Sequence, residues 1–209
     1  MARTLARRIA AVLALAGVAA LAWVAVTLVW GEPFTAITAS RAQAALSDEL
    51  AKQHTGWAPP PGTVRARVAA FRRGLRQGEA VGRIVVPRLG LRTVFVEGTS
   101  RPDLKRGPGH YRITALPGVG GTVAIAGHRT TYLQPFRHLD RLRPGDSISL
   151  ELPYGSFRYE VYGRRIVDDR DWSILRRRSF EKLVLTACHP LYSAAQRIVV
   201  FARLSGTSP

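Results

Sequence analysis

Cys188 is the only cysteine in 209 residues. It can therefore neither close a disulfide within the chain nor join a cysteine cluster around a metal. It follows Leu183-Val184-Leu185-Thr186, an apolar run that reads as a buried strand, and stands where that strand gives way to the loop His189-Pro190-Leu191-Tyr192-Ser193. A thiol at such a rim is either a small buried hydrophobe or a nucleophile. A nucleophile needs a neighbour that carries its proton. The imidazoles are His54, His110, His128, His138 and His189. His54 falls in a proline-rich linker. His189 is next to the thiol in sequence, but neighbours on a strand point to opposite faces. His128 follows the strand-like run 122–126 and Gly127, and so leads His110 and His138 as the partner. Arg197 opens the last strand-like run, nine residues after Cys188. Strand, loop and strand of that length bring both residues to one end, where a guanidinium could hold a carbonyl or a developing oxyanion. The chemistry these groups can share is attack of a thiolate on a carbonyl, with a proton carrier and an oxyanion donor at hand.

The elements that must position them are short strands. Residues 82–87, 93–97, 122–126, 147–151, 157–161, 182–186 and 197–204 carry β-type runs, several alternating apolar and polar side chains. Pro153-Tyr154-Gly155-Ser156 reads as the turn of a hairpin. Seven or eight short strands with Gly and Pro punctuation predict an all-β barrel or sandwich. Upstream, residues 9–30 are uncharged and almost wholly apolar. As a helix they reach ~33 Å, enough for a ~30 Å bilayer core and longer than a signal peptide's apolar region. Arg3, Arg7 and Arg8 precede the run, which puts the N-terminus in the cytoplasm and the remainder outside. Residues 35–53 favour helix. Residues 64–77 form a short basic amphipathic helix with Val64, Val68, Phe71 and Leu75 on one face, and Pro59, Pro60 and Pro61 make a stiff spacer between them. The organisation expected is a cytoplasmic tip and transmembrane anchor over 1–31, an extracellular stalk over 32–77, a catalytic domain over 78–205 and a tail over 206–209.

The net charge is +17, from 31 basic and 14 acidic residues, and only three of the basic residues are lysine. An exported basic domain can lie against anionic lipids or anionic wall polymers. Nucleic acid is excluded as a partner by this topology and by the lack of a nucleic-acid-binding motif.

Leu183-Val184-Leu185-Thr186-Ala187-Cys188 followed by Arg197 resembles the signature of sortases, the membrane-anchored cysteine transpeptidases of Gram-positive bacteria. The family pattern is TLxTC with an Arg on the next strand, and Val184 and Ala187 stand where Thr is usual. Residues 96–100, 104–111, 116–118, 126–132 and 142–146 are similar to class E sortases of high-GC actinobacteria. That subgroup has Gly-Ala-Pro-Phe after the tyrosine, where this chain has Leu133-Gln134-Pro135-Phe136. The resemblance covers roughly residues 78–205. It implies an eight-stranded sortase β-barrel with short helices, and His128, Cys188 and Arg197 as a catalytic triad. The thiolate attacks the Thr–Gly carbonyl of a C-terminal LAxTG- or LPxTG-like sorting motif on a secreted protein. His128 moves the proton and Arg197 holds the substrate backbone and oxyanion. An amine of a peptidoglycan cross-bridge, or a pilin lysine, resolves the thioester. Tyr132 is implied to line the pocket reading the second motif residue, with Thr186, Ala187 and His110 as further substrate-binding residues. No cofactor or metal is expected, and Asp168, Asp169 and Asp171 read as a solvated loop. Two alternatives differ in kind: a membrane-tethered module that binds wall polymer with an inert Cys188, and a pilus-polymerising sortase. An L,D-transpeptidase is disfavoured, because it places His and Gly directly before its cysteine, where this chain has Thr186 and Ala187.

Overall fold

The computed structural model describes residues 2–30, 33–56 and 62–208. In chain order these form α1 (Ala2–Trp30), α2 (Pro33–Gly56), α3 (Val64–Gly74), β1 (Ala80–Val86), β2 (Leu91–Glu97), α4 (Arg101–Arg106), β3 (Gly109–His110), β4 (Thr122–Ala126), β5 (Ser147–Leu152), β6 (Gly155–Asp168), β7 (Lys182–His189) and β8 (Gln196–Ser208). The strands close into a barrel in the order β1-β2-β3-β4-β7-β8-β6-β5. Leu183, Val184 and Leu185 are apolar in succession because β7 is central and buried on both faces. It pairs parallel with β4 and antiparallel with β8.

Alternation separates two apolar layers. Val123, Ile125, Leu183, Leu185, Ile198 and Val200 point into the barrel core. Ala124, Val184 and Val199 point outward, where Ile174 and Leu175 of the β6–β7 connection cover them. A buried carboxylate, Glu181, fastens the loop before β4. It accepts hydrogen bonds from the Gly118 and Gly120 amides and from the Tyr159 hydroxyl at 2.6 Å. Burial, followed by the Glu181 charge, pushes the Tyr159 phenol far above its ordinary value.

The segment expected to be a stalk is instead docked. Leu46 and Leu50 of α2 pack on Ala80, Val94 and Val96. The Gln43 side chain substitutes for a missing strand beside β2. Its Nε2 donates to the carbonyls of Val94 (3.0 Å) and Arg106 (2.7 Å), and its Oε1 accepts from the Val94 amide (2.9 Å) and the Thr93 hydroxyl (2.7 Å). β2 pairs with β3 only at Val96 and Glu97, so these groups would otherwise lack partners. Val68 and Phe71 of α3 join the main core, with Val64 and Leu75 against it. The expected tail is also structured, since β8 runs to Ser208 and pairs it with Ser156. The spacer Pro59–Pro61 lies outside the described residues. Among the described residues, α1 is the one helix long and apolar enough to cross a membrane.

Candidate active site

The register of β7 and β8 places Cys188 directly opposite Arg197. Cross-strand neighbours of this kind have Cα atoms ~4.5–5.5 Å apart. Cys188 shares its face with Thr186 and Val184, and Arg197 with Val199 and Phe201, so thiol and guanidinium both stand on the outer wall of the barrel. Both are partly exposed. One Arg197 Nη donates to the carbonyls of Ala194 (2.8 Å) and Gln196 (2.9 Å), which steadies the side chain over the β7–β8 loop. Among the described residues no carboxylate lies within ion-pair distance of it.

β4 brings the imidazole. Ala126 is level with Thr186, and the Gly127 amide continues the parallel ladder to the Thr186 carbonyl at 3.0 Å. His128 follows directly, two residues past the last β4–β7 pair Ala126–Thr186, just as Cys188 lies two residues past Thr186 on β7. Gly127 is required there, because a Cβ would stand 2.5 Å from the Phe136 ring. The His128 carbonyl accepts the Phe136 amide, and its ring lies 5.0 Å from that of Tyr132. Burial holds the His128 pKa below the ordinary 6.5, since the imidazolium loses water more dearly than the neutral ring. An NMR titration of the His128 ring should give a midpoint below 6.5. A midpoint above that value would show that a neighbouring anion, not burial, governs this group.

The structure sorts the other expected site residues. Tyr132 lies beside His128 and its amide donates to Thr35 Oγ1 at 3.3 Å, which ties the start of α2 to the site loop. Tyr132, Leu133 and Gln134 have φ of 51°, 63° and 50°. Three left-handed non-glycine residues in succession cost on the order of 1–2 kcal/mol each, and Leu133 stands where the resembling subgroup has glycine. Thr186 faces the site wall and is covered by Tyr111, whose hydroxyl is 3.1 Å from its Oγ1. Ala187 packs in the barrel core, on the face opposite the thiol. His110 is fully buried, with Nδ1 2.6 Å from Glu97 and Nε2 3.0 Å from the Ala115 carbonyl. Ala187 and His110, like Thr186 at 2% exposed, thus present almost no surface to a substrate in this structure. His138 is partly exposed at the start of the short turn Leu139–Arg141. Asp168 and Asp171 accept amide hydrogens from Arg170 and Ser173 within their own turns.

Sequence reasoning missed Arg129. Only 6% exposed, it sends Nη2 to Asp140 (2.9 Å), Nε to the Arg137 carbonyl (3.2 Å) and Nη1 to His189 Nδ1 (3.0 Å). Nη1 also approaches the Cys188 carbonyl at 3.5 Å. Partial desolvation raises the Asp140 pKa, but a backbone hydrogen bond and Arg129 outweigh it and hold the carboxyl below its ordinary range. Arg129 thus links the loop bearing His128 to the strand end bearing Cys188. It also turns His189 away, because a guanidinium only donates and Nδ1 must accept. The signal was available: if His128 faces outward, its neighbour on extended backbone faces in. Arg129→Gln should lower unfolding stability by ~1–3 kcal/mol, from unpaired buried acceptors. Urea denaturation checks this, and an unchanged midpoint would mean the network contributes nothing.

A closed barrel with a thiol opposite a guanidinium on adjacent strands, and an imidazole just past the end of a third, defines a thiol-centred β-barrel class. The sequence model of the Sortase domain matches residues 84–205, more than half of the chain, and the chain belongs to the sortase family. Sortase D of Bacillus subtilis is 35% identical over 130 residues, covering 60% of this chain and 64% of that protein. Sortase SrtE1 of Streptomyces coelicolor is 28% identical over 148 residues, covering 63% of this chain and 42% of that protein. The chain thus spans less than two thirds of the length of these curated relatives. The structure of the Streptomyces coelicolor protein, with a tripeptide in the active site, superposes with TM-score 0.60, covering 63% of this chain and 91% of that one, at 28% identity. A Sortase D5 transpeptidase from Clostridium perfringens shares the fold at TM-score 0.69 and 23% identity, over 79% of this chain and 99% of that one.

Proposed function

We propose that the chain is a membrane-anchored cysteine transpeptidase that cleaves a C-terminal LAxTG- or LPxTG-like sorting motif between Thr and Gly. The new acyl end passes to an amine of the cell wall. The observation that carries this reading is the register that sets Arg197 across from Cys188, with His128 two residues past the end of the β4–β7 ladder. In the first half-reaction the Cys188 sulfur bonds to the Thr carbonyl carbon. The thiol proton passes to His128, and the C–N bond to Gly breaks as His128 returns that proton to the leaving amine. In the second, the incoming amine bonds to the acyl carbon, the C–S bond breaks, and the amine's proton returns to sulfur through His128. A half-buried imidazole suits this shuttle, because it can accept a proton and release it in turn. Arg197 supplies fixed donors to the oxyanion of each tetrahedral intermediate.

The peptide has an apolar border to lie against. Trp172, 60% exposed, meets Tyr111 edge-on at 6.4 Å beside Thr186, and Leu133, Leu191 and Tyr192 expose apolar surface on the flanking loops. The tripeptide in the active site of the Streptomyces coelicolor relative supports a peptide substrate. The anchor is α1, with Arg3, Arg7 and Arg8 on the cytoplasmic side and the barrel outside.

The deciding experiment incubates the full chain in neutral detergent with LAxTG and LPxTG peptides plus candidate amines, read by mass spectrometry. Neither cleavage at Thr–Gly nor an amine adduct would refute the proposal. Arg197→Lys is expected to lower kcat by about 10²–10³-fold although the charge remains, because an ammonium lacks the planar fork. Steady-state kinetics with the cleaved peptide checks it. A near-normal kcat would reduce Arg197 to general electrostatic support.

A further inference from the structure

On the same outer wall, farther along β8, lies a cationic groove that the site above does not use. Phe201 forms part of it, four residues beyond Arg197 on the same face, or ~13 Å along the strand. The groove has a volume of about 470 Å³ and lies between β6 and the β6–β7 connection, with Arg164, Arg165, Arg176, Arg177, Arg178 and Lys182 on its walls. Six cations converge here, and the ion pair that relieves them is Asp171 with Arg165 at 3.7 Å. Arg164 is engaged with the Asp140 carbonyl. Among the described residues, Arg176, Arg177 and Arg178 have no carboxylate within ion-pair distance, and all three side chains are exposed.

The groove is built rather than incidental. Lys182 is 3% exposed, and its ammonium donates to the carbonyls of Ile174 (2.8 Å) and Arg176 (2.7 Å). Ile174 itself is buried against the outer face of β4, β7 and β8. The backbone that presents the three consecutive arginines is thereby fixed at its start. Like charges held together without counter-charges repel one another, and an anion that bridges them relieves that repulsion. Guanidinium forks match the oxygens of phosphate, two donors to two acceptors.

We propose that this groove binds a linear polyanion bearing phosphate groups and no aromatic bases. With Arg176 and Arg178 exposed on its wall and Arg177 reaching on to Gly121 and the neighbouring cavity lined by Arg72, the run of guanidiniums suits charges repeated along a chain better than a lone anion. Nucleic acid is disfavoured by the aromatic surface. Phe201 already carries Arg165 at 5.9 Å and Lys182 at 5.7 Å and stacks on Tyr162 at 6.0 Å, so it has no free face for a base. A bilayer is disfavoured because the cations line a recess rather than a flat face. The inference rests on charge and shape and holds whether or not Cys188 is catalytic.

Calorimetric titration of the full chain in neutral detergent with inorganic polyphosphate tests it. R176Q/R177Q/R178Q should weaken binding by about tenfold or more and reduce the salt dependence by about two to three ions, as three phosphate contacts are lost. R65Q/R73Q/R88Q removes the same charge from exposed positions on α3 and the β1–β2 connection, and should change affinity by about twofold at most. Four results overturn the proposal. One is equal weakening in both triple variants, which means net charge alone. The second is inorganic phosphate binding as tightly per phosphate as the polymer. The third is a single-stranded oligonucleotide binding as tightly as polyphosphate. The fourth is a soluble short-chain phosphatidylglycerol displacing the polymer at equal phosphate.

Discussion

Cys188→Ala is expected to leave a folded barrel that forms no covalent adduct with a sorting-motif peptide and shows no detectable transfer to an amine. No second thiol exists in the chain to take its place. The side chain stands half-buried on the outer wall, outside the packed interior, so its truncation should shift stability by only about 0.5 kcal/mol. Loss of function is thereby separable from loss of fold. The measurement is intact-protein mass spectrometry after incubation with peptide, beside a urea unfolding curve. An acyl adduct of the peptide's mass on the Cys188→Ala chain would show that another group is the nucleophile, and the thioester route would fall with it.

The second large effect concerns His128. Replacing it by Ala should lower kcat by about 10²–10⁴-fold, since the amine of Gly would leave without a proton. His189→Ala is the matched control. It also removes an imidazole beside Cys188 in sequence, but that ring accepts from Arg129 on the other side of the strand. It should retain activity within about tenfold, the loss reflecting one unpaired Arg129 donor. Steady-state kinetics on the two variants checks the assignment. Activity surviving in His128→Ala and lost in His189→Ala would reverse the roles of the two histidines.

The legible parts of this molecule were those with strong local patterns. The apolar run ending at Cys188, the alternation across the β5–β6 hairpin and the nine-residue step to Arg197 each restrict the backbone to few arrangements. Gly127 before His128 announced a close approach, and Phe136 is what approaches. Other features had no period to read. β3 is two residues long. The far half of β6, Tyr162–Asp168, exposes Arg164, Arg165 and Ile166 in succession, so its alternation is hidden. The docking of α2 depends on a narrow face of Ala39, Leu46 and Leu50, assisted by the polar Gln43, in an Ala-rich helix that could equally have stood free. For His110 the matching motif suggests chemistry, and nothing local in the sequence announces its burial against Glu97. Arg129 went unseen because nearly every arginine in so basic a chain is a surface charge.

The ladder that holds Cys188 against Arg197 has a consequence for how the site is assembled. These two residues are nine apart in sequence and join through an antiparallel hairpin, a contact of low order that closes with little loss of loop entropy. His128 is sixty residues from Cys188 and reaches it through the parallel β4–β7 pairing, which antiparallel hairpins cannot supply. Half of the site can therefore form early, while the barrel is still open. The imidazole arrives with the long-range β4–β7 pairing. Acquisition of proton-transfer chemistry thus waits on the β4–β7 pairing, and a chain lacking that pairing would carry a thiol without its proton carrier.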